Sequence, residues 1–252
     1  GTPIIYTAEH SATATAIAEA IKKTVSVVSD NWKLSVPKGC EVHVLTDWEE
    51  FIDQTVPKHL RFLVNLTKPF WRNRAERAFM LAGGWFLPWR GRPSLGVKPP
   101  ELLVQSASEL GKRLFVAVSD PLEKVRHVAC HEFTHACTAH LRLPAWLNEG
   151  IAMRTVDHMV EYSTVLEETQ TIVQFDQFPL NCKSYRQIKP SDYDSLIQLY
   201  ATGYWIIRKL EKEDPSIIDE LLKQRRSARE LTRIIKTVLK LSHVAEYASC
   251  MR

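Results

Sequence analysis

His131, Glu132 and His135 form the pattern H-E-x-x-H, with two histidines four positions apart and a glutamate directly after the first. The surrounding residues 125–141 contain neither glycine nor proline, so a helix is expected there. Positions four apart lie on one face of a helix, and both imidazoles can therefore point at one metal ion. Glu132 would stand beside them, within reach of a metal-bound water. The pattern predicts a water-activating metal site.

The pentapeptide alone is a suggestive signal. With nine histidines in 252 residues, a chance H-E-x-x-H has a probability of about a couple of percent. The alternative interpretation is a helix with two ordinary histidines and a surface glutamate. The residues that follow the helix favour the metal site.

A catalytic zinc site takes three protein ligands and keeps one position for water or substrate, so a third ligand is needed. The metzincin spacing would place a histidine at position 141, which is Leu141, and His140 is rotated by about 100° from that position on a helix. Glu149 is the better candidate. Pro144 is expected to stop the first helix and open a second, which would bring Glu149 back over the first. Gly150 would permit a close backbone approach there.

The segments 131–135 (HEFTH) and 144–152 (PAWLNEGIA) together resemble the gluzincin metallopeptidases, in particular the peptidase MA-like families with a W-L-x-E-G-x-A segment. The resemblance covers about residues 120–212. It implies that His131, His135 and Glu149 bind one Zn²⁺ and that Glu132 is the general base. It also implies a zincin-like fold and zinc-dependent hydrolysis of peptide bonds.

The proposed reaction also needs a hydrogen-bond donor for the oxyanion that develops in the transition state, and the family resemblance is looser in the segment that would supply it. Residues 200–210 (YATGYWIIRKL) resemble a later family helix, although Gly203 replaces a serine, and this position favours Tyr200 as the donor. Tyr204 and His158 are the other candidates, and ordinary packing is the alternative for both tyrosines. The sequence departs from thermolysin-like peptidases in the shorter interval before Glu149 and in Met153, which stands where those enzymes carry an aspartate.

The expected fold class is α+β: a mixed sheet with helices over 1–142, ending in the metal helix, and a mainly helical subdomain over 143–252. Hydrophobic patterns predict helices over 7–32 and 47–53 and a strand over 40–46. Further strands are predicted over 78–89, 100–105 and 113–118. Asp120, Pro121 and Glu123 mark the start of the metal helix as cap, first residue and capping-box partner. Later helices are predicted over 144–158, 161–170, 192–212, 215–224 and 227–240. Residues 54–77 are basic and aromatic with no clear period.

Composition restricts the class of partner. The net charge of +4 is mild, and the basic excess over residues 221–252 is interpreted as a solvated helix face, so no nucleic-acid partner is expected. No apolar run reaches the ~18 residues of a membrane span. The five scattered cysteines are interpreted as buried apolar residues and favour a reducing compartment. The chain begins at Gly1, so an upstream signal peptide would not be visible.

Two other classes of function stay open. One is a non-peptidase zinc hydrolase or an inactive zinc-binding relative that only holds a partner, and the other is a basic binding module in which H-E-x-x-H is coincidental. The gluzincin resemblance implies a peptide or protein substrate that pairs in extended form with an edge strand beside the metal helix. The strands nearest in sequence to the metal helix, 100–105 and 113–118, are the expected edge. Trp85, Trp89 and Tyr200 are expected to line specificity pockets.

Overall fold

The computed structural model describes residues 2–89, 92–105, 109–173, 188–189 and 192–239. These residues form a mixed α/β chain with a small sheet and many helices. The strands are β1 (Ile4–Ile5), β2 (Glu41–Val44), β3 (Gly84–Leu87) and β4 (Ser94–Val97). The helices are α1 (Ser11–Trp32), α2 (Trp48–Thr55), α3 (Arg61–Leu81), α4 (Pro100–Gln105), α5 (Glu109–Leu114), α6 (Pro121–Thr138), α7 (Ala145–Val160), α8 (Tyr193–Glu213), α9 (Ser216–Leu222) and α10 (Ala228–Val238). Short 3₁₀ turns cover Ala8–His10, Lys58–Leu60, Ala139–Leu141 and Glu167–Ile172.

The strands of the described residues form one four-stranded sheet in the order β1-β2-β4-β3. β1, β2 and β4 are parallel, whereas β3 is antiparallel to β4 and pairs Gly84 with Val97. β3 is therefore an edge strand of this sheet. One face of β3 and β4 contacts α6, so the sheet edge lies beside the predicted metal helix.

The helices α1, α6, α7 and α8 pack around one core. α1 contacts both α6 and α7, and its buried residues recur at helical spacing, as in Ile17, Ile21 and Val28. At the end of α1 the indole Nε1 of Trp32 donates a buried hydrogen bond of 2.9 Å to Oγ1 of Thr155 on α7. The apolar face of α1 thus holds the two helices that carry the predicted ligands.

Several local predictions are confirmed. Helices occupy most of 7–32, 47–53, 144–158, 192–212 and 215–224, and β2 lies within 40–46. The Asp120 side chain accepts a hydrogen bond from the amide of Leu122, and Pro121 is the first residue of α6. The capping-box role of Glu123 is wrong, because its carboxylate accepts a hydrogen bond from the Tyr162 hydroxyl instead. α10 ends within the range predicted for the last helix, and residues from 240 onward lie outside the described part.

The predictions of strands over 100–105 and 113–118 are wrong. The first segment is α4, which begins at Pro100, a residue suited to the first turn of a helix. The second contains the end of α5, after which Phe115 makes a single bridge to Val165. In the range 78–89, residues 78–81 still belong to α3 and only Gly84–Leu87 is a strand. The helix predicted over 161–170 is replaced by an extended stretch and a 3₁₀ turn, because α7 ends in a left-handed residue at Glu161.

No helix among the described residues is both long and apolar enough to cross a lipid bilayer.

α7 and α8 cross with their backbones in contact. A Cβ placed on Gly203 would lie 1.9 Å from the carbonyl oxygen of Trp146, and one placed on Gly150 would lie 2.4 Å from the carbonyl oxygen of Gly203. These neighbouring atoms belong to packed helix backbones, which cannot move aside for an added methyl group as the end of a flexible side chain could. Gly150 thus permits a close backbone approach, but to α8 and not to the first helix as predicted. Its partner is Gly203, which stands where the family-like segment has a serine.

Gly203→Ala should therefore lower the free energy of unfolding by about 3 kcal/mol or more, the upper range of over-packing effects. Chemical denaturation monitored by circular dichroism measures this change. Lys212→Ala, an exposed change on the same helix, is the control and should stay within about 0.5 kcal/mol of the parent. A Gly203→Ala protein as stable as the parent would show that the crossing is looser than described.

Candidate metal centre

Two helices supply the predicted ligands. His131 and His135 lie on α6, and Glu149 lies in the second turn of α7. Between the helices, Arg142 adopts a left-handed conformation (φ 51°) and Pro144 directly precedes α7. This short connection turns the chain sharply enough to bring Glu149 back to the two histidines.

The three ligand groups converge. Nε2 of His131 lies 3.1 Å from Nε2 of His135 and 3.1 Å from Oε2 of Glu149. Nε2 of His135 lies 3.2 Å from Oε1 of Glu149. Among the described residues, these three form the one group of His, Cys, Asp and Glu side chains that could hold a metal ion.

The donor set fits a tetrahedral divalent cation. Ligand atoms 2.0–2.1 Å from a tetrahedral Zn²⁺ would lie about 3.3 Å from one another, close to the observed separations. Oε2 of Glu149 is buried and has no hydrogen bond of acceptable geometry, so a cation would satisfy an otherwise orphaned atom. Two imidazole nitrogens and a carboxylate oxygen suit several transition metals, zinc among them.

The electrostatics of the group favour a bound positive charge. Burial by itself would raise the pKa of the Glu149 carboxyl, yet the nearby imidazoles hold that pKa well below its ordinary value. Burial by itself would lower the pKa of His135, but the Glu149 carboxylate outweighs this effect and raises the pKa to about 9. Without a metal, a proton on His135 therefore balances the buried carboxylate. A metal ion would take the place of that proton.

The site is more open on one side. Glu149 and His135 are almost fully buried, with 3% and 8% of their surfaces exposed. The side chain of His131 is 17% exposed, and Glu132 is partly exposed. The solvent-exposed side of the ligand group is therefore the side of His131 and Glu132.

Glu132 lies between the ligand group and the edge strand β3. A Cβ placed on Gly84 would lie 2.6 Å from Cγ of Glu132, so only glycine leaves room for this side chain. Burial raises the pKa of Glu132, and the two imidazoles partly offset the rise. A carboxylate with a raised pKa is a better proton acceptor than an ordinary one. Glu132 thus carries a carboxyl group with a raised pKa beside the ligand group.

Asn148, which the sequence analysis did not single out, orients His135. Its amide lies 2.8 Å from Nδ1 of His135, and its Oδ1 accepts a hydrogen bond of 2.6 Å from the Thr138 hydroxyl. Metal binding through Nε2 leaves the proton of His135 on Nδ1, which needs an acceptor. A half-turn of the Asn148 amide would present Oδ1 to that proton. The adjacency of Asn148 to Glu149 was the available signal.

The other predicted candidates lie elsewhere or have other partners. His140 is exposed in the turn after α6, outside the ligand group. His158 contacts Glu211 at 2.6 Å and packs edge-on against Trp32. The hydroxyl of Tyr204 donates to Asp157 over 2.7 Å inside a buried cluster, which explains its burial without a catalytic role.

Tyr200 lies on α8, one turn before Gly203, and is partly buried between two apolar clusters. Its role as oxyanion donor stays a prediction. Met153, where thermolysin-like peptidases carry an aspartate, is 1% exposed in the smaller of these clusters. The Met153 side chain therefore packs in the core and does not hydrogen-bond to a metal ligand as an aspartate could.

The described cysteines lie in the protein interior. Cys40, Cys130 and Cys137 are free and buried, and burial raises the pKa of each thiol to about 12. Their interpretation as apolar core residues is confirmed. Cys182 and Cys250 lie outside the described residues.

Comparison of the chain with protein-family models, with curated proteins and with solved structures found no match. The gluzincin resemblance therefore rests on the sequence segments alone, and the metal centre rests on its own geometry.

His131→Ala should abolish stoichiometric metal binding, because two remaining ligands leave Glu149 without its second imidazole. We expect about one metal ion per parent chain and a small fraction of that in the variant, measured by mass spectrometry after dialysis against buffered zinc. His140→Ala removes an exposed histidine outside the ligand group and should keep the full content. Full metal occupancy in His131→Ala would reject the ligand set.

Proposed function

We propose that this chain is a zinc-dependent peptidase of the gluzincin type with a zincin-like fold. The observation that carries the proposal is the convergence of His131, His135 and Glu149, whose ligand atoms all lie within 4.8 Å of one another, with Glu132 beside them. A merely structural metal site would be closed and would have no use for a partly exposed carboxylate against a sheet edge. The H-E-x-x-H and W-L-x-E-G-x-A segments, which contain these residues, support the proposal through the family resemblance.

Each residue of the site would have its own role in the reaction. His131, His135 and Glu149 would hold zinc, which when bound lowers the pKa of water and polarises a substrate carbonyl. Glu132 would accept the proton of the attacking water and then deliver it to the leaving amine. With its amide turned so that Oδ1 faces Nδ1, Asn148 would keep His135 in the tautomer that leaves Nε2 free for the metal.

The substrate would pair with β3. The segments first expected to provide the edge, 100–105 and 113–118, are helical, so that placement is wrong. β3 instead is an antiparallel edge strand, and Gly84 at its start touches Glu132. An extended peptide added to β3 would form backbone hydrogen bonds beside the proposed base. Recognition through the backbone would tolerate different side chains.

The specificity pockets need a second correction. Trp85 packs against Trp48 and Phe79, with ring centroids 6.5 Å and 6.1 Å away. Successive side chains of a strand point to opposite faces, so Trp85 lies on the face of β3 away from Glu132. The pocket role predicted for Trp85 is therefore withdrawn, whereas those of Trp89 and Tyr200 stay predictions.

Glu132→Gln should keep one zinc per chain and lose peptide hydrolysis by about 10²–10⁴-fold in kcat, the range for a removed general base. A quenched-peptide library assayed together with metal content measures both quantities. Glu168→Gln, an exposed change on a distant turn, should behave as the parent. Equal cleavage by parent and Glu132→Gln would reject the role of Glu132. A zinc-loaded parent that cleaves no peptide would favour the inactive, partner-holding alternative.

The two tyrosines can be separated by parallel removal of their hydroxyls. Tyr200→Phe should lower kcat by about 10²–10³-fold with KM and metal content nearly unchanged, as for a lost oxyanion donor. Tyr204→Phe should keep kcat but lower the free energy of unfolding by about 1–3 kcal/mol, because it removes one buried hydrogen bond to the Asp157 carboxylate, which keeps its contacts with Arg154 and Thr164. Steady-state kinetics and denaturation on both variants test this, and an unchanged kcat in Tyr200→Phe would remove Tyr200 from the mechanism.

A further inference from the structure

α3 presents an apolar surface to solvent. Four side chains in its first three turns are largely exposed, and Phe70 is the most exposed at 90%. We call these four residues the α3 stripe: Phe62, Leu63, Leu66 and Phe70. Their spacing of three and four positions places them on one side of the helix. A contiguous row of exposed aromatic and aliphatic side chains marks an interaction surface.

The opposite side of α3 is occupied by the rest of the chain. Trp71 packs edge-on against Trp48, with ring centroids 5.9 Å apart, and Lys68 forms an ion pair of 2.7 Å with Glu49. Near the end of the helix, Phe79 packs edge-on against Trp85. These contacts fix the rotation of α3, so the stripe points away from the core.

Basic residues surround the stripe. Residues 58–77 contain six lysines and arginines against one acidic residue, Glu76. Arg61, Arg72, Arg74 and Arg77 are exposed on α3, and Arg72 is partly balanced by Glu49 at 3.1 Å. The surface therefore combines apolar insertion residues with a positive border.

We propose that α3 docks this chain onto an anionic phospholipid surface, with the α3 stripe entering the headgroup region and the arginines contacting phosphates. A basic amphipathic helix with Phe and Leu on one face binds a membrane interface in this manner. A second copy of the chain is a poorer occupant, because the two arginine borders would repel each other. A nucleic acid would use the arginines and leave Leu63 and Leu66 in water.

The position of α3 gives the docking a consequence. Two residues, Ala82 and Gly83, join α3 to β3, the strand that packs against Glu132. A docked α3 would hold this edge strand close to the lipid surface. The proposal does not depend on hydrolysis or on a bound metal.

Vesicle co-sedimentation of the full chain tests the proposal. Vesicles of phosphatidylcholine alone are compared with vesicles containing about one-third phosphatidylserine, at low and at physiological salt. We expect at least about tenfold stronger binding to the anionic vesicles, weakening as salt rises. Equal binding to both vesicle types, or no binding to either, would overturn the proposal.

Paired variants separate the apolar from the charged contribution. Phe62→Ser with Phe70→Ser should weaken binding at least about tenfold, whereas Tyr6→Ser with Val104→Ser, exposed elsewhere, should not. The double variant Arg61→Glu with Arg77→Glu should weaken vesicle binding by about fivefold or more per arginine. The control Lys22→Glu with Lys23→Glu changes the net charge by the same amount on exposed residues of α1, and it should have a much smaller effect. All eight substituted residues of these four double variants are exposed, and circular dichroism checks that each variant is folded.

Two further results would assign the surface to another occupant and so contradict the proposal. One is binding to a soluble acidic polypeptide such as polyglutamate without binding to anionic vesicles. The other is a parent dimer, seen by analytical ultracentrifugation, that the Phe62→Ser and Phe70→Ser changes convert to monomer.

Discussion

Burying the Glu149 carboxylate costs several kcal/mol unless a positive charge meets it, and the arrangement of the helices follows from that requirement. The two imidazoles of α6 lie within 3.2 Å of the carboxylate oxygens, and they can balance it with a proton or share a metal with it. α7 must then be held firmly enough that these distances persist. A hydrogen bond from Trp32 of α1 holds α7 in place on one side. On the other side, α7 contacts α8 where Gly150 and Gly203 meet.

The same glycine contacts connect stability with chemistry. Gly150 directly follows Glu149, so a backbone shift at the crossing with Gly203 would move the carboxylate relative to His131 and His135. Gly84 has the corresponding role on the other side, where it lets β3 approach Glu132. The proposed base thus lies between a ligand group anchored by helices and the edge strand β3. Stability and preorganisation of the site come from the same close contacts.

The sequence predicted the parts of this arrangement that depend on local patterns. Helical spacing alone places His131 and His135 together, and Asp120 and Pro121 mark the start of α6. The pairing of Glu149 with them needed the short connection at Pro144 together with the family resemblance. β3 lies within the strand predicted over 78–89, but its position at the edge of the sheet could not be found in this way, because sheet order depends on contacts distant in sequence. Val104 suggested a strand over 100–105, whereas Pro100 begins a helix there. Asn148 and Gly84 acquire their roles only from residues brought close by the fold.

The central claim is that His131, His135 and Glu149 together bind one metal ion in a water-accessible site. Crystallography of the zinc-loaded chain with data collected at the zinc absorption edge tests it most directly. The account predicts an anomalous peak about 2.0–2.2 Å from Nε2 of both histidines and from a Glu149 oxygen, with a fourth position open toward Glu132. A zinc peak held by other residues, or a histidine–carboxylate group that excludes zinc under saturating conditions, would contradict it.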